Sequence, residues 1–369
     1  MTAQSSLARL SEAGVSVWLD DLSRTRLETG DLENLVTTMN VVGVTTNPTI
    51  FATAIAGSDS YAGSLEELAA AGASVDEAIE SLTTADVAAA ARLLRPVYDA
   101  TDGDDGRVSI EVAPPLARDT AGTTASAKAL WERVGEPNAM IKIPATEEGL
   151  AAIADTIGAG ISVNVTLVFS LTRYRHVVEA YLQGLEKARA AGHDLSTIRS
   201  VASIFVSRVD AEIDARLAEL DDPAAAELAG RAGIANCVLA HEIHSQLFTS
   251  ERFRVLELAG AQPQRLLWAS TGVKNPDYPD TMYVTGLVAD DTVNTMPEAT
   301  MRAFADHGDV GAPISTEDYR AADEVFDQLA RLGIDYAEVM TLLETQGLEK
   351  FDVSWAELQD TIRRALERA

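Results

Sequence analysis

The feature that most constrains this chain is an alternation. Short runs rich in β-branched residues are separated by longer segments of helical period, the pattern of a parallel α/β architecture. The first run is Val15-Ser16-Val17-Trp18-Leu19-Asp20. After it, Leu32, Leu35, Val36 and Met39 recur at i, i+3, i+4 and i+7 on one helical face. The second run, Val41-Val42-Gly43-Val44-Thr45-Thr46, ends at Asn47-Pro48, where proline bars further strand pairing. Six more strands are predicted at Arg107–Val112, Ala139–Ile143, Ile161–Phe169, Arg199–Val206, Arg265–Ala269 and Met282–Val284. Helical patterns fall between them: a long stretch over 63–100, then Thr123–Val134, Thr146–Ile157, Thr172–Ala191, 209–251 and Arg252–Ala259. Eight strands in about 270 residues match the count and length of a (β/α)8 TIM barrel. A doubly wound sheet would carry a Gly-rich turn after its first strand. None is there, and Gly158-Ala159-Gly160 precedes a strand and lacks the third glycine. The expectation is one α/β barrel domain over 1–369, its core about 12–300, with additional N- and C-terminal helices. The C-terminal ones span about 315–369, around Tyr319–Leu332, Tyr336–Gln346 and Trp355–Leu366.

Composition narrows the function. The chain has 57 acidic and 29 basic residues, a net charge of −28. Such a chain repels a polyphosphate at long range, which argues against nucleic acid. A small anion can still bind where a few Arg or Lys side chains converge. No apolar run is long enough to span a membrane, and Met1–Arg9 lacks the basic start and apolar stretch of a secretory leader. Cys237 is the only cysteine, which excludes an internal disulfide and a Cys-based metal cluster. These features predict a soluble, cytoplasmic protein acting on small molecules.

Several strands carry a polar or ionisable residue at or near the C-terminal end. In a parallel barrel those ends converge on the face where active sites lie. Asp20 ends the first strand, and Thr45 and Asn47 end the second with one parity. Glu111 lies near the end of the third and Lys142 near the end of the fourth. Asn164 and Thr166 lie on the fifth, Ser203 and Phe205 share a face of the sixth, and Arg208 follows it. Lys142 stands apart from the other four lysines, at 128, 187, 274 and 350. It alone sits inside an apolar strand, Ala139-Met140-Ile141-Lys142-Ile143-Pro144, while Lys128 and Lys187 fall on helical patterns and Lys350 near the C-terminal helices, all solvent positions. With period 2, Met140 and Lys142 face the barrel interior. Desolvation there favours a neutral amine, the form that attacks a carbonyl to give a Schiff base. The bland alternative is a salt bridge, and Asp20 and Glu111 on the same face make the catalytic reading the stronger one.

These residues resemble the transaldolase family. The matching segments are Trp18-Leu19-Asp20, Gly43-Val44-Thr45-Thr46-Asn47-Pro48-Thr49, Val108-Ser109-Ile110-Glu111-Val112, Met140-Ile141-Lys142-Ile143-Pro144-Ala145-Thr146, Asn164-Val165-Thr166-Leu167-Val168-Phe169-Ser170 and Phe205-Val206-Ser207-Arg208. The resemblance implies transfer of a dihydroxyacetone unit between sugar phosphates of the pentose phosphate pathway, with no cofactor and no metal. Sedoheptulose 7-phosphate and glyceraldehyde 3-phosphate would exchange with erythrose 4-phosphate and fructose 6-phosphate. It implies Lys142 as the Schiff-base nucleophile and Asp20 as the acid/base at the C4 hydroxyl. Glu111 would shuttle protons through a water held by Thr166. Asn47 and Asn164 would hold sugar hydroxyls and the enamine, with Thr45 beside them, and Ser203 and Arg208 would meet the phosphate. Where some relatives place an arginine after strand 7, this chain has Lys274 in Trp268-Ala269-Ser270-Thr271-Gly272-Val273-Lys274. Related aldolases that release dihydroxyacetone carry a tyrosine near Phe205. Phenylalanine keeps the pocket dry, which favours transfer over release. A fructose 6-phosphate-type aldolase and a non-catalytic sugar-phosphate-binding barrel are the alternatives.

Other signals are bland. His241-Glu242-Ile243-His244 is one residue short of the zinc-protease spacing and is read as non-metal. Asn164-Val165-Thr166 is a chance glycosylation match on a buried strand. Arg173 and Arg175 open a helix and are read as solvated charges. Cys237 is read as a core residue, and phosphate-loop and Gly-x-Ser-x-Gly motifs are missing.

Overall fold

Eight parallel strands close into a barrel in sequence order in the computed structural model, which describes residues 5–368. Residues 1–4, the start of the segment read for a leader, and residue 369 lie outside the described residues. The strands are β1 (Val15–Leu19), β2 (Val41–Val44), β3 (Arg107–Glu111), β4 (Ala139–Pro144), β5 (Val163–Val168), β6 (Ser200–Phe205), β7 (Arg265–Ala269) and β8 (Thr292–Met296). β1 pairs with β8 along its length and closes the ring. The (β/α)8 architecture expected from the alternation is therefore the one observed. No helix among the described residues is long and apolar enough to cross a membrane.

The eighth strand is a correction. Met282–Thr285, expected as a strand, is a one-turn helix, and the strand follows it at Thr292–Met296. Met-Tyr-Val has strand propensity, but Tyr283 is buried and donates to Asp210 Oδ2 at 2.8 Å, fixing the segment outside the sheet. Thr292-Val293-Asn294-Thr295-Met296 has three β-branched residues but no apolar run, and it pairs with β1 and β7 as the eighth strand.

The helices differ from expectation in their breaks. The stretch 63–100 is two helices, Ala62–Ala70 and Val75–Ala100, parted where Gly72 takes φ 72° and a Ser74/Glu77 capping box starts the second. The stretch 209–251 is three, Ser207–Ala218, Pro223–Leu228 and Ala232–Leu247. Besides Met282–Thr285, three helices escaped the periodicity: Arg24–Glu28, Pro48–Ala56, which starts directly at Asn47-Pro48, and Glu298–His307. The expected N-terminal helix is Ser6–Glu12. After Thr316–Arg331, the last two expected helices are a single one, Tyr336–Leu366. Gly347, just past the expected helix end at Gln346, lies inside this helix. In space it lets this terminal helix approach the barrel, because a Cβ there would lie 3.1 Å from Leu167 and 3.5 Å from the Arg208 guanidinium. Thr49 and Ser354 hydroxyls, 2.7 Å apart, tie the terminal helix to the Pro48–Ala56 helix.

The opposite end of the barrel is sealed by paired charges. Arg265 reaches Asp105 at 3.2 Å and Asp291 at 2.9 Å and donates to Ser16 Oγ and the Thr292 carbonyl. Arg199 binds Asp104 at 2.6 Å, and Arg107 donates to the Gly103 carbonyl. Asp105 also accepts from Ser16 Oγ and Trp18 Nε1.

Candidate active site

The strand register assembles the site. Glu111 on β3, Lys142 on β4 and Asn164 on β5 are direct Cα partners, so their side chains share one layer of the barrel. Lys142 is 6 % and Glu111 4 % exposed at the side chain, and their charged atoms lie 3.6 Å apart. That separation is an ion contact without a close hydrogen bond. The amine donates instead to the Thr46 carbonyl at 3.1 Å. Thr46 in turn is held by its hydroxyl, which donates to the Ser109 carbonyl at 2.7 Å.

Burial dominates the acids. It pushes the Glu111 carboxyl up to about 7, against the pull of Lys142 and with a smaller push from Asp20. It raises Asp20 as well, opposed by Lys142 and by the hydrogen bond from Thr45. The Thr45 hydroxyl donates to Asp20 Oδ1 at 2.7 Å and sits 2.6 Å from the Thr295 hydroxyl, which fixes the carboxyl at the end of β1. Glu111 Oε2 and Thr166 Oγ1 are buried without a hydrogen-bond partner among the described residues.

A cavity of about 200 Å³ opens at the C-terminal end of the barrel. Asp20, Thr45, Asn47, Lys142, Ser203, Phe205, Arg208 and Lys274, all singled out from sequence, line it. Glu111 stands behind Lys142 and, with Asn47, lines a neighbouring cavity of about 330 Å³ beneath the terminal helix. Asn164 and Thr166 are fully buried and do not line the 200 Å³ cavity. Asn164 donates to Ser109 Oγ at 3.1 Å and accepts from Ser203 Oγ at 2.7 Å, so it orients Ser203 from behind. Asn47 caps the Pro48–Ala56 helix, its side-chain oxygen accepting from the Ile50 amide at 3.0 Å. Its amide nitrogen is thereby left for other partners.

The Arg208 guanidinium lies 5.0 Å from the centre of the Phe205 ring, which itself packs 5.2 Å from Phe169. Arg173 does not join it. That arginine is paired with Glu147 at 2.5 Å and with Glu344 at 3.6 Å. His241 meets the Tyr319 hydroxyl and His244 the Gln264 carbonyl, contacts that fasten their helix to its neighbours. Among the described residues no group of three His, Cys, Asp or Glu side chains is placed to hold a metal.

Sequence reading missed three wall residues that bear on the site. Thr295 was lost with the misplaced eighth strand, and a polar residue near the end of β8 was its signal. Lys350 and Phe351 reach the cavity from the terminal helix. Lys350, expected at a solvent position, is exposed, and the structure adds that it stands at the mouth of the cavity.

Fold and site together define a class: (β/α)8 barrels that offer a carbonyl compound a buried amine between two carboxylates. The model of the Transaldolase/Fructose-6-phosphate aldolase family matches residues 17–362. The chain is 55% identical over 369 residues to the transaldolase of Mycolicibacterium smegmatis, covering 100% of both. It is 57% identical over 361 residues to transaldolase 1 of Streptomyces coelicolor, covering 98% of this chain and 95% of that one. With the transaldolase of Thermobifida fusca it shares 55% over 362 residues, 98% of each. The chain belongs to the transaldolase family and is an enzyme of that family.

Proposed function

We propose that this protein transfers a dihydroxyacetone unit from a ketose phosphate, sedoheptulose 7-phosphate or fructose 6-phosphate, to an aldose phosphate in the cytoplasm. The observation that carries this reading is a buried amine on the wall of a sugar-sized cavity whose mouth holds unpaired cations.

Lys142 adds to the ketose C2 carbonyl to give a carbinolamine, which loses water to become a protonated imine. Asp20, held by Thr45, takes the proton of the C4 hydroxyl as the C3–C4 bond breaks. The bond's electrons pass into the imine and leave a neutral enamine, so no bare carbanion forms. The first aldose departs, the enamine attacks the carbonyl of the second, and water releases the new ketose. Glu111 Oε2 and Thr166 Oγ1 keep free hydrogen-bonding capacity, which suits holding a water during dehydration and hydrolysis. Asn47 and Ser203 contact sugar hydroxyls. Arg208 and Lys274 take the phosphate, Lys274 as a point charge without the guanidinium's fork.

The Phe205–Phe169 pair supports transfer over simple cleavage, because an apolar wall keeps water from the enamine. A coupled assay separates the readings. With fructose 6-phosphate and erythrose 4-phosphate, sedoheptulose 7-phosphate accumulates, and glyceraldehyde 3-phosphate release depends on the acceptor. Equal release without acceptor would make the protein an aldolase, and binding without turnover would make it a sugar-phosphate sensor.

A further inference from the structure

Three cations meet at the mouth of the cavity. Arg208 follows β6 and Lys274 lies in the loop after β7, both parts of the barrel. The third, Lys350, belongs to the terminal helix. Acidic residues outnumber basic ones almost two to one in this chain, and elsewhere its arginines collect carboxylates. Arg26 pairs with Asp21, Asp31 and Glu298, Arg252 with Glu179 and Glu186, and Arg173 with Glu147 and Glu344. Among the described residues no carboxylate lies within ion-pair distance of Arg208, Lys274 or Lys350. Their charges instead repel one another. The Lys350 ammonium is disfavoured by burial and then by Arg208 and Lys274, and Arg208 is disfavoured by burial. Lys274 and Lys350 are exposed and Arg208 half-buried, so water solvates the cluster when it is empty, and together the three present converging positive charge to an anion at the cavity mouth.

The geometry of the terminal helix serves this cluster. Gly347 and Lys350 stand at i and i+3, on one face of the helix. Gly347 stands against the Arg208 guanidinium, where a Cβ would lie at ordinary contact distance, 3.5 Å from its Nη1. Phe351, 5 % exposed, closes the wall beside Lys350. The helix thus brings one cation over another and adds an apolar edge.

We infer that Lys350 is a third ligand of the substrate's phosphate, so that the terminal helix forms part of the sugar-phosphate site and sets its preference for phosphorylated sugars. This rests on reading the cavity as a sugar-phosphate site. A phosphate monoester offers three terminal oxygens and nearly two negative charges. Arg208, fixed over Phe205, supplies a planar donor, and two flexible ammonium groups close on the remaining oxygens. The dianion would then bridge barrel and helix, binding more tightly than barrel cations alone allow.

The test uses the full chain, with Lys350→Met keeping the aliphatic stem and Lys350→Arg keeping the charge. Calorimetry with inorganic phosphate reads the site independently of turnover. The Met variant binds phosphate about tenfold more weakly, a loss of about 1.4 kcal/mol, and the Arg variant stays within about threefold of wild type. In steady state, the kcat/KM for fructose 6-phosphate relative to that for fructose falls about tenfold in the Met variant, mainly through KM. Phosphate affinity equal in wild type and the Met variant, or no phosphate binding by wild type, overturns the inference. So does an unmoved kcat/KM ratio. Failure of wild type to form a borohydride-trapped ketose adduct, with phosphate binding still sensitive to Lys350, would instead defeat the functional reading and leave the anion site standing.

Discussion

The two ends of the barrel both concentrate charge, and they treat it in opposite ways. At the N-terminal end, Arg199 and Arg265 are met by Asp104, Asp105 and Asp291, while Arg107 donates to the Gly103 carbonyl and Ser162 Oγ, with one buried nitrogen, Nη2, left over. At the C-terminal end, Lys142 and Glu111 stand 3.6 Å apart, two buried oxygens lack partners, and three cations face the cavity without a carboxylate. Paired charge closes the fold, whereas charge left partly unsatisfied is kept for a ligand or for proton transfer. Substitutions at one end should therefore cost stability and at the other turnover.

The largest effect is expected at Lys142. Lys142→Arg keeps a cation beside Glu111 but holds its proton, so transfer activity falls about 10⁴-fold or more while the thermal unfolding midpoint moves little. Activity surviving at a tenth of wild type would erase the distinction between the two ends. Next is Asp20→Ala, which lowers turnover by about 10²–10⁴-fold. Here the trapped adduct still accumulates, because imine formation precedes the step that Asp20 serves; full turnover would remove Asp20 from the mechanism.

At the other end, Asp105→Ala takes one of Arg265's two carboxylates, leaving Asp291, and removes the acceptor of both the Ser16 hydroxyl and Trp18 Nε1. Urea unfolding should show a loss of about 3 kcal/mol, with kcat per folded molecule unchanged. A variant that keeps its stability and loses its rate would reverse the assignment of roles.

The smallest effect is in pH dependence. Burial holds the Glu111 proton until pH about 7, so the carboxylate is lost on the acid side. The proposed proton shuttle then weakens below pH 7, giving an acid limb in kcat/KM. Glu111→Gln should be slower and lack that limb. The same shift has a stability sign. The folded state holds this proton more tightly than the unfolded chain, so the contribution is full below pH about 4.5 and fades as pH rises through about 7. An acid limb that persists unaltered in Glu111→Gln assigns it to another group.

Most of the fold and the site is legible in the sequence. The barrel is legible because seven strands are largely apolar runs, six of them with β-branched residues, set between helical patterns. β8 is not, since Thr292, Asn294 and Thr295 mask it and only pairing with β1 and β7 makes it a strand. Lys142 was conspicuous as an ionisable residue in an apolar run, and its Glu111 partner followed from strand parity. Asn47 carried a double message, as strand end and as helix cap, and only the first was read. Lys350 was hidden for a tertiary reason. The expected helices stop at Gln346 and resume at Trp355, and nothing local says that the segment between them is helical and crosses the mouth of the barrel. Asn164 was read as facing substrate, but its amide bridges Ser109 and Ser203 inside the wall, a contact that strand parity cannot foresee.

The account's central claim is that one buried amine does the chemistry. Borohydride reduction in the presence of fructose 6-phosphate, followed by peptide mapping, tests it directly. A single stable adduct on Lys142 is the predicted result. Unmodified protein, or an adduct on Lys128, Lys187, Lys274 or Lys350 in place of Lys142, would contradict it.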